Sequence, residues 1–257
     1  MSDLWAHRTQ VEIWGDSIGR SGHVIRYGHY GRPVIAFPTE LGRAWEWETK
    51  GMLGALGPLI ESGRIKLYCV DAFDTEGWSD RSIDIAEQAR RELAYQDWIT
   101  GPVAAWIGAD SPGATSAIVT GASLGAYRAL TLALRRPDLF PTVIGLSGNY
   151  DPTTWGTWGD ASGRGAAYAV NPTWTVPDLG GDHLDWVRAH LGGVLVVGQG
   201  DWETEPTRAL PSTRHMGALL RAKGLRVGVD EWGFDVSHDW WWWDRQLAFH
   251  LDLVTGA

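Results

Sequence analysis

The chain has one cysteine, Cys69, among 257 residues, so no disulfide can form within it. Cys69 stands in the apolar run Ile65-Lys66-Leu67-Tyr68-Cys69-Val70, where it reads as a buried strand residue and not as a nucleophile. Clustered Lys and Arg are also missing. A formal net charge of −9 and a pI near 5.3 argue against a nucleic-acid or anionic-membrane partner, either of which needs a basic surface. No apolar stretch is long enough to span a bilayer, and Met1-Ser2-Asp3-Leu4-Trp5-Ala6-His7 has neither the basic start nor the apolar length of a signal peptide, so the expected location is cytoplasmic. Regular metal-ligand spacing is absent: Asp151 and Asp160 stand alone, and His183-Leu184-Asp185 is too short a pattern. No metal and no cofactor are expected.

With hydrophobic residues at 44% and charged residues at 21%, the composition is that of an ordinary globular protein with a sizeable core. No repeat, low-complexity tract or linker divides the chain, and the expectation is a single domain over residues 1–257. Residues 9–14 and 23–28 alternate loosely around Gly15, Gly19 and Gly22, the pattern of an antiparallel edge hairpin. Apolar runs then recur at 33–37, 65–70, 116–120, 141–146 and 193–198, with a weaker one at 225–232, and read as strands buried on both faces. Segments of helical spacing lie between and beyond them, at 45–61, 84–107, 124–136, 204–223 and 239–253. Strands that alternate with helices require crossover connections, hence a mainly parallel sheet with helices on both faces. The fold class is α/β. Residues 148–180 break the rhythm, and an insertion of that length in a compact domain is expected to act as a lid or binding loop.

Gly121-Ala122-Ser123-Leu124-Gly125 matches G-x-S-x-G, a pattern short enough to occur by chance, so its surroundings must decide. An apolar strand, Ala117-Ile118-Val119-Thr120, runs into it and the helix-favouring Ala126–Leu134 leaves it, with Pro137 as a stop. That is the context of a nucleophile elbow, in which a sharp strand-to-helix turn exposes a strained serine while flanking glycines let strand and helix pass closely. The Leu124 N–H at the helix start would face a carbonyl oxygen under attack by Ser123. The second oxyanion donor is expected from Pro38-Thr39-Glu40-Leu41-Gly42, at the Glu40 N–H, with Thr39 and Leu41 as neighbours.

A serine nucleophile needs a base, supplied in this architecture by a late histidine in the order serine, acid, histidine. His238 lies in the polar loop Gly233–Asp239 between the last strand and the last helix, whereas His250 falls inside that helix among leucines and reads as a packing residue. The acid is expected just after strand 193–198, in Gly198-Gln199-Gly200-Asp201-Trp202-Glu203: Asp201 comes first, and Glu203 is the alternative. Seventeen tryptophans exceed ordinary usage. Trp240 and Trp243 share a helix face with Leu247 and Leu251 and are assigned to packing, while Trp241 and Trp242 are placed near the back of His238. Trp155 and Trp158, with Trp174, fall in the insertion, where their rings are candidates to line a substrate pocket.

Phe37–Arg43, the elbow through Leu130, Pro137-Asp138-Leu139-Phe140, Leu146-Ser147-Gly148 and His238-Asp239-Trp240 resemble the putative-esterase family of α/β-hydrolases. That family includes S-formylglutathione hydrolase (esterase D), feruloyl esterases and mycolyltransferases. The resemblance implies an α/β-hydrolase fold, a metal-independent serine esterase acting on a small-molecule ester, and a triad of Ser123, an acid in 201–203 and His238. Where S-formylglutathione hydrolases carry G-H-S-M-G-G, this chain has Gly121-Ala122-Ser123-Leu124-Gly125-Ala126, so their thioester substrate is not implied. Two other readings stay open: an acyltransferase that passes the same acyl group to an alcohol, and a non-catalytic binding protein on the hydrolase fold. Oligomeric state is not legible in the sequence.

Overall fold

The computed structural model describes residues 5–155 and 165–256. Eight strands make one sheet in the order β1-β2-β4-β3-β5-β6-β7-β8, where β1 is Thr9–Gly15, β2 Arg20–Tyr27, β3 Arg32–Phe37, β4 Ile65–Val70, β5 Ile118–Ala122, β6 Thr142–Leu146, β7 Gly192–Val197 and β8 Arg226–Glu231. β1 and β2 form the antiparallel edge hairpin and β2 runs antiparallel to β4. All pairs from β4 across to β8 are parallel. The helices are α1 (Glu46–Thr49), α2 (Met52–Glu61), α3 (Ile85–Trp98), α4 (Ala104–Asp110), α5 (Leu124–Arg135), α6 (Ala166–Ala169), α7 (Pro172–Asp178), α8 (Gly181–His190), α9 (Ala209–Ala222) and α10 (Trp240–Thr255).

Each face of the sheet carries its own core, as the unbroken apolar runs of the central strands demand. On one face Tyr95 and Trp98 of α3, Leu130 of α5 and Met216 of α9 pack together, and on the other Trp47 of α1, Leu56 of α2 and Leu247 of α10 do so. β4 is buried along its whole length, with Cys69 inside it and its thiol pushed up by burial. Two helical segments of the sequence are interrupted for local reasons. Gly51, at φ 82°, ends α1 before α2 begins. Pro102, which lacks an N–H, sits in a wide helical turn at Ile99–Val103 that separates α3 from α4.

Within the insertion, the described residues are largely helical and packed. The Tyr127 hydroxyl on α5 donates to the Val170 carbonyl, and Val170 and Val176 are fully buried. Among the described residues, no helix is long and apolar enough to cross a membrane, and no group of three or more His, Cys, Asp or Glu could hold a metal ion.

Candidate active site

The turn between β5 and α5 has the geometry its sequence demands. Ser123 sits at φ 56° and ψ −119°, a conformation that costs an L-residue roughly 1–3 kcal/mol and persists only where the surroundings enforce it. They do so by close packing. A Cβ on Gly121 would lie 2.4 Å from the Gly125 carbonyl carbon, and one on Gly125 would lie 2.6 Å from the Phe37 carbonyl oxygen. Any side chain at either position would push the helix off the sheet. The Ser123 N–H continues the ladder by donating to Leu146, and the serine side chain is left at the C-terminal edge of the sheet.

Among the described residues, the candidates gather at that edge, where parallel strands place their functional loops. Glu40 follows β3, Ser123 follows β5, Ser147 follows β6 and His238 lies beyond β8, and all four line one cavity of about 380 Å³. Leu124 lines it too, as do Trp78, Arg81 and Trp155. Trp155 meets Trp78 edge-on at 5.1 Å and Tyr127 at 5.0 Å, forming an aromatic wall. Trp158 lies outside the described residues. A second cavity, of about 280 Å³, opens beyond Trp78 against Phe73 and Tyr95 and contains neither Ser123 nor His238.

The acid at the imidazole is Glu203 and not Asp201. His238 Nδ1 lies 3.3 Å from Glu203 Oε2, and the glutamate is fully buried. Asp201 is exposed and meets His238 only through its backbone, its carbonyl accepting the His238 N–H at 3.0 Å. The loops after β7 and β8 are zipped together, with Gln199 N–H donating to Gly233 and Gly200 N–H to Val236. Gly198 is obligatory there, because a Cβ would come within 2.0 Å of the Val236 oxygen. Trp202 then takes a left-handed φ of 68°, which turns its own ring into solvent, 63% exposed, and carries the next residue inward. Proximity to the strand end favoured Asp201 in the sequence, and this single reversal of the backbone selects Glu203.

Two residues of the site escaped the sequence reading. Ser147 Oγ donates to Glu203 Oε1 at 2.6 Å and accepts from Trp243 Nε1 at 2.9 Å. The Gly198 N–H adds a longer bond to the same oxygen at 3.3 Å. Trp243 also meets the His238 ring edge to face at 4.8 Å. The indole placed behind His238 is therefore Trp243, which the helix pattern had assigned to packing alone, whereas Trp241 is 61% exposed. The signal for Ser147 was its place at the end of β6, next to the strand that leads into Ser123. His250 is a packing residue as expected, buried with Nε2 3.0 Å from Asp230.

Of the three peptide N–H groups considered for the loop after β3, two are committed. Thr39 N–H donates to Glu46 Oε2 and Leu41 N–H to Asp74 Oδ2, each at 2.8 Å. The Glu40 N–H between them has no acceptor among the described residues, and neither does the Leu124 N–H at the start of α5.

Comparison with known proteins bears on the fold and the family. No curated protein matches the chain. Among solved structures, MPT51 of Mycobacterium tuberculosis superposes with a TM-score of 0.74 at 16% identity, covering 97% of this chain and 98% of that one. S-formylglutathione hydrolase of Agrobacterium tumefaciens gives 0.67 at 16%, covering 97% and 95%. Enterochelin esterase of Shigella flexneri gives 0.62 at 18%, covering 98% of this chain and 60% of that one. At such identities these likenesses concern the fold. The family model described as "Putative esterase" matches residues 43–252, so the chain belongs to that family of α/β-hydrolase-fold, ester-hydrolysing enzymes.

Proposed function

We propose that the chain cleaves a small-molecule carboxylic ester through an acyl-enzyme on Ser123. His238 takes the hydroxyl proton as Ser123 attacks the carbonyl carbon, and the N–H groups of Glu40 and Leu124 receive the negative oxygen. Collapse of the tetrahedral intermediate expels the alcohol, protonated by His238. Water, activated by the same imidazole, then releases the acid and restores the serine. Glu203 holds the imidazole through Nδ1 and stabilises the cation it becomes, while Ser147, itself held by the Trp243 indole, holds Glu203. The reading rests above all on a buried carboxylate at the ring of a histidine that shares a cavity with a serine in an elbow conformation. It is tested with a short-chain nitrophenyl ester: Ser123→Ala should lose several orders of magnitude in kcat, about 10⁶-fold where the groups act as a unit. Near-wild-type turnover by that variant would defeat it.

Acyl transfer to an alcohol uses the same first half-reaction and differs in how well the pocket excludes water. The cavity is partly lined by polar side chains, among them Asn149 and Thr207, which favours hydrolysis. Product analysis with and without added alcohol decides between the two.

A further inference from the structure

We propose that Asp74 and Glu46 are positioning residues for the oxyanion site, two carboxylates that grip the peptide on either side of Glu40 and so aim its N–H at the cavity; this rests on the ester-cleaving reading above. Glu46 holds the first side twice. It accepts from the Thr39 N–H at 2.8 Å and from the Thr39 hydroxyl at 2.7 Å. Gly42 permits the approach, since a Cβ there would lie 2.4 Å from Glu46 Oε2. Asp74 holds the other side through the Leu41 N–H. Leu41 has φ 63°, which costs roughly 1–2 kcal/mol for a residue with a Cβ, and its side chain is 57% exposed. Packing therefore does little to enforce that conformation. Two bonds do: the turn bond from the Gly42 N–H to the Thr39 carbonyl at 3.0 Å and the bond from the Leu41 N–H to Asp74, which alone ties the turn to the rest of the fold through this N–H.

Asp74 is itself fixed. Its side chain is fully buried, and Arg128 Nη2 donates to its other oxygen at 2.6 Å. Arg128 also bonds Glu92 at 3.0 and 3.1 Å, and Glu92 accepts from the Trp78 indole at 3.0 Å. Burial works against the Arg128 charge, but Asp74 and Glu92 outweigh it and keep the guanidinium cationic. Arg128 lies just over a turn past Ser123 on α5. The network thus ties the loop after β3 to the helix that starts at the nucleophile, so the two oxyanion donors, one from each, are held in one frame. A donor fixed before the charge develops needs no reorganisation during the reaction, which is where most of its value in catalysis lies.

The test uses the full chain carrying Asp74→Asn, Glu46→Gln, or an ester in place of the Glu40–Leu41 amide, which deletes only the Leu41 N–H. Turnover of p-nitrophenyl butyrate is measured per site titrated with a fluorophosphonate. Binding is measured for a trifluoromethyl ketone, whose adduct with serine carries an oxyanion, and for the matching carbinol, which forms none. Each change should lower kcat about tenfold or more, short of the ~10²–10³ lost with a whole donor. KM should stay within about twofold, ketone affinity should fall with kcat, and carbinol affinity should hold. A loss carried by KM, or a fall in kcat with undiminished ketone binding, would overturn the proposal by pointing to a merely structural role. Wild-type behaviour in folded variants would overturn it too, and if Asp74→Asn does not fold, the backbone ester decides. Ser123→Ala, run in parallel, separates the two levels: retained turnover there sinks the ester-cleaving reading, whereas an inactive Ser123→Ala beside an unaffected Asp74→Asn sinks the positioning role alone.

Discussion

Replacing Glu203 by glutamine changes almost no volume and yet reverses the hydrogen-bond logic at the imidazole. Glu203 Oε1 serves two donors, the Ser147 hydroxyl at 2.6 Å and the Gly198 N–H at 3.3 Å, while Oε2 faces His238 Nδ1 at 3.3 Å. A glutamine has one acceptor oxygen and one donor NH2, and satisfying the two donors on the Oε1 side keeps its oxygen there. The NH2 group then faces Nδ1 and favours the tautomer in which Nδ1 is bare and Nε2 carries the proton. Such an imidazole cannot accept the Ser123 proton. The reverse flip would set an NH2 against the Gly198 N–H, donor against donor, in a buried place.

The wrong tautomer produced by a carboxylate-to-amide change in a serine triad costs about 10⁴ in kcat, or about 5.4 kcal/mol at 1.36 kcal/mol per decade. Because the Nδ1 contact here is long, the expected loss for Glu203→Gln is about 10³–10⁴, with KM little changed. Asp201→Asn should change kcat less than about threefold, since only the backbone carbonyl of Asp201 touches His238. Steady-state hydrolysis of p-nitrophenyl butyrate, normalised to titrated sites, measures both. A Glu203→Gln enzyme within tenfold of wild type, or an Asp201→Asn enzyme more damaged than it, would refute the reasoning.

Gly125→Ala should destabilise the fold by about 1–3 kcal/mol, the range for overpacking a tight contact, because its Cβ would lie 2.6 Å from the Phe37 oxygen; an unchanged denaturation midpoint would contradict the close strand-to-helix crossing. At Asp71, burial alone would raise the carboxyl, but hydrogen bonds from Arg43, His23 and Ala44 outweigh it and hold it below the ordinary 3.8. Asp71→Asn should therefore cost about 1.5–3 kcal/mol at neutral pH. The gap to wild type should close as pH falls from 3.8 through the lower folded value, where the wild-type carboxylate takes up its proton, and thermal melts over pH 2–7 (about that range) will show whether it does. Arg81 lines the cavity that holds Ser123 and His238 with no acid partner among the described residues, so a p-nitrophenyl ester of adipic acid with a free carboxylate should gain in kcat/KM over the hexanoate ester. Arg81→Gln should cut that ratio by about 3–10-fold, less at high salt; an unchanged ratio would remove Arg81 from substrate selection.

Much of this molecule was legible along the chain because its signals are local. The double-sided apolar runs at 33–37, 65–70 and 116–120 admit few alternatives to buried strands, and the hairpin at 9–28 announced itself by alternation and glycine. Ser123 could be picked out because an elbow is a contiguous motif: strand, glycines and helix sit within a few residues of one another. That His238 comes to the cavity of Ser123 was legible through order in the chain and its polar loop. Helix boundaries were less so, since Gly51 and Pro102 act through backbone geometry that a periodic pattern passes over.

What the sequence by itself determined was the alternating architecture, the strand-to-helix turn at Ser123 and the loop that carries His238, all set by short-range patterning and backbone sterics. What only the tertiary structure decided was how distant loops meet. Glu203 supplants Asp201 because the chain turns over at Trp202 while the loop is zipped to Gly233–Val236. Ser147 and Trp243 join the site because a residue after β6 reaches the carboxylate of Glu203 while another on the last helix donates to that residue's hydroxyl. Glu40 is singled out from its neighbours by Glu46 and by Asp74, the latter 33 residues from Leu41 along the chain. Such choices depend on hydrogen bonds between residues far apart in sequence, and they exist only once the sheet has brought the strand ends together.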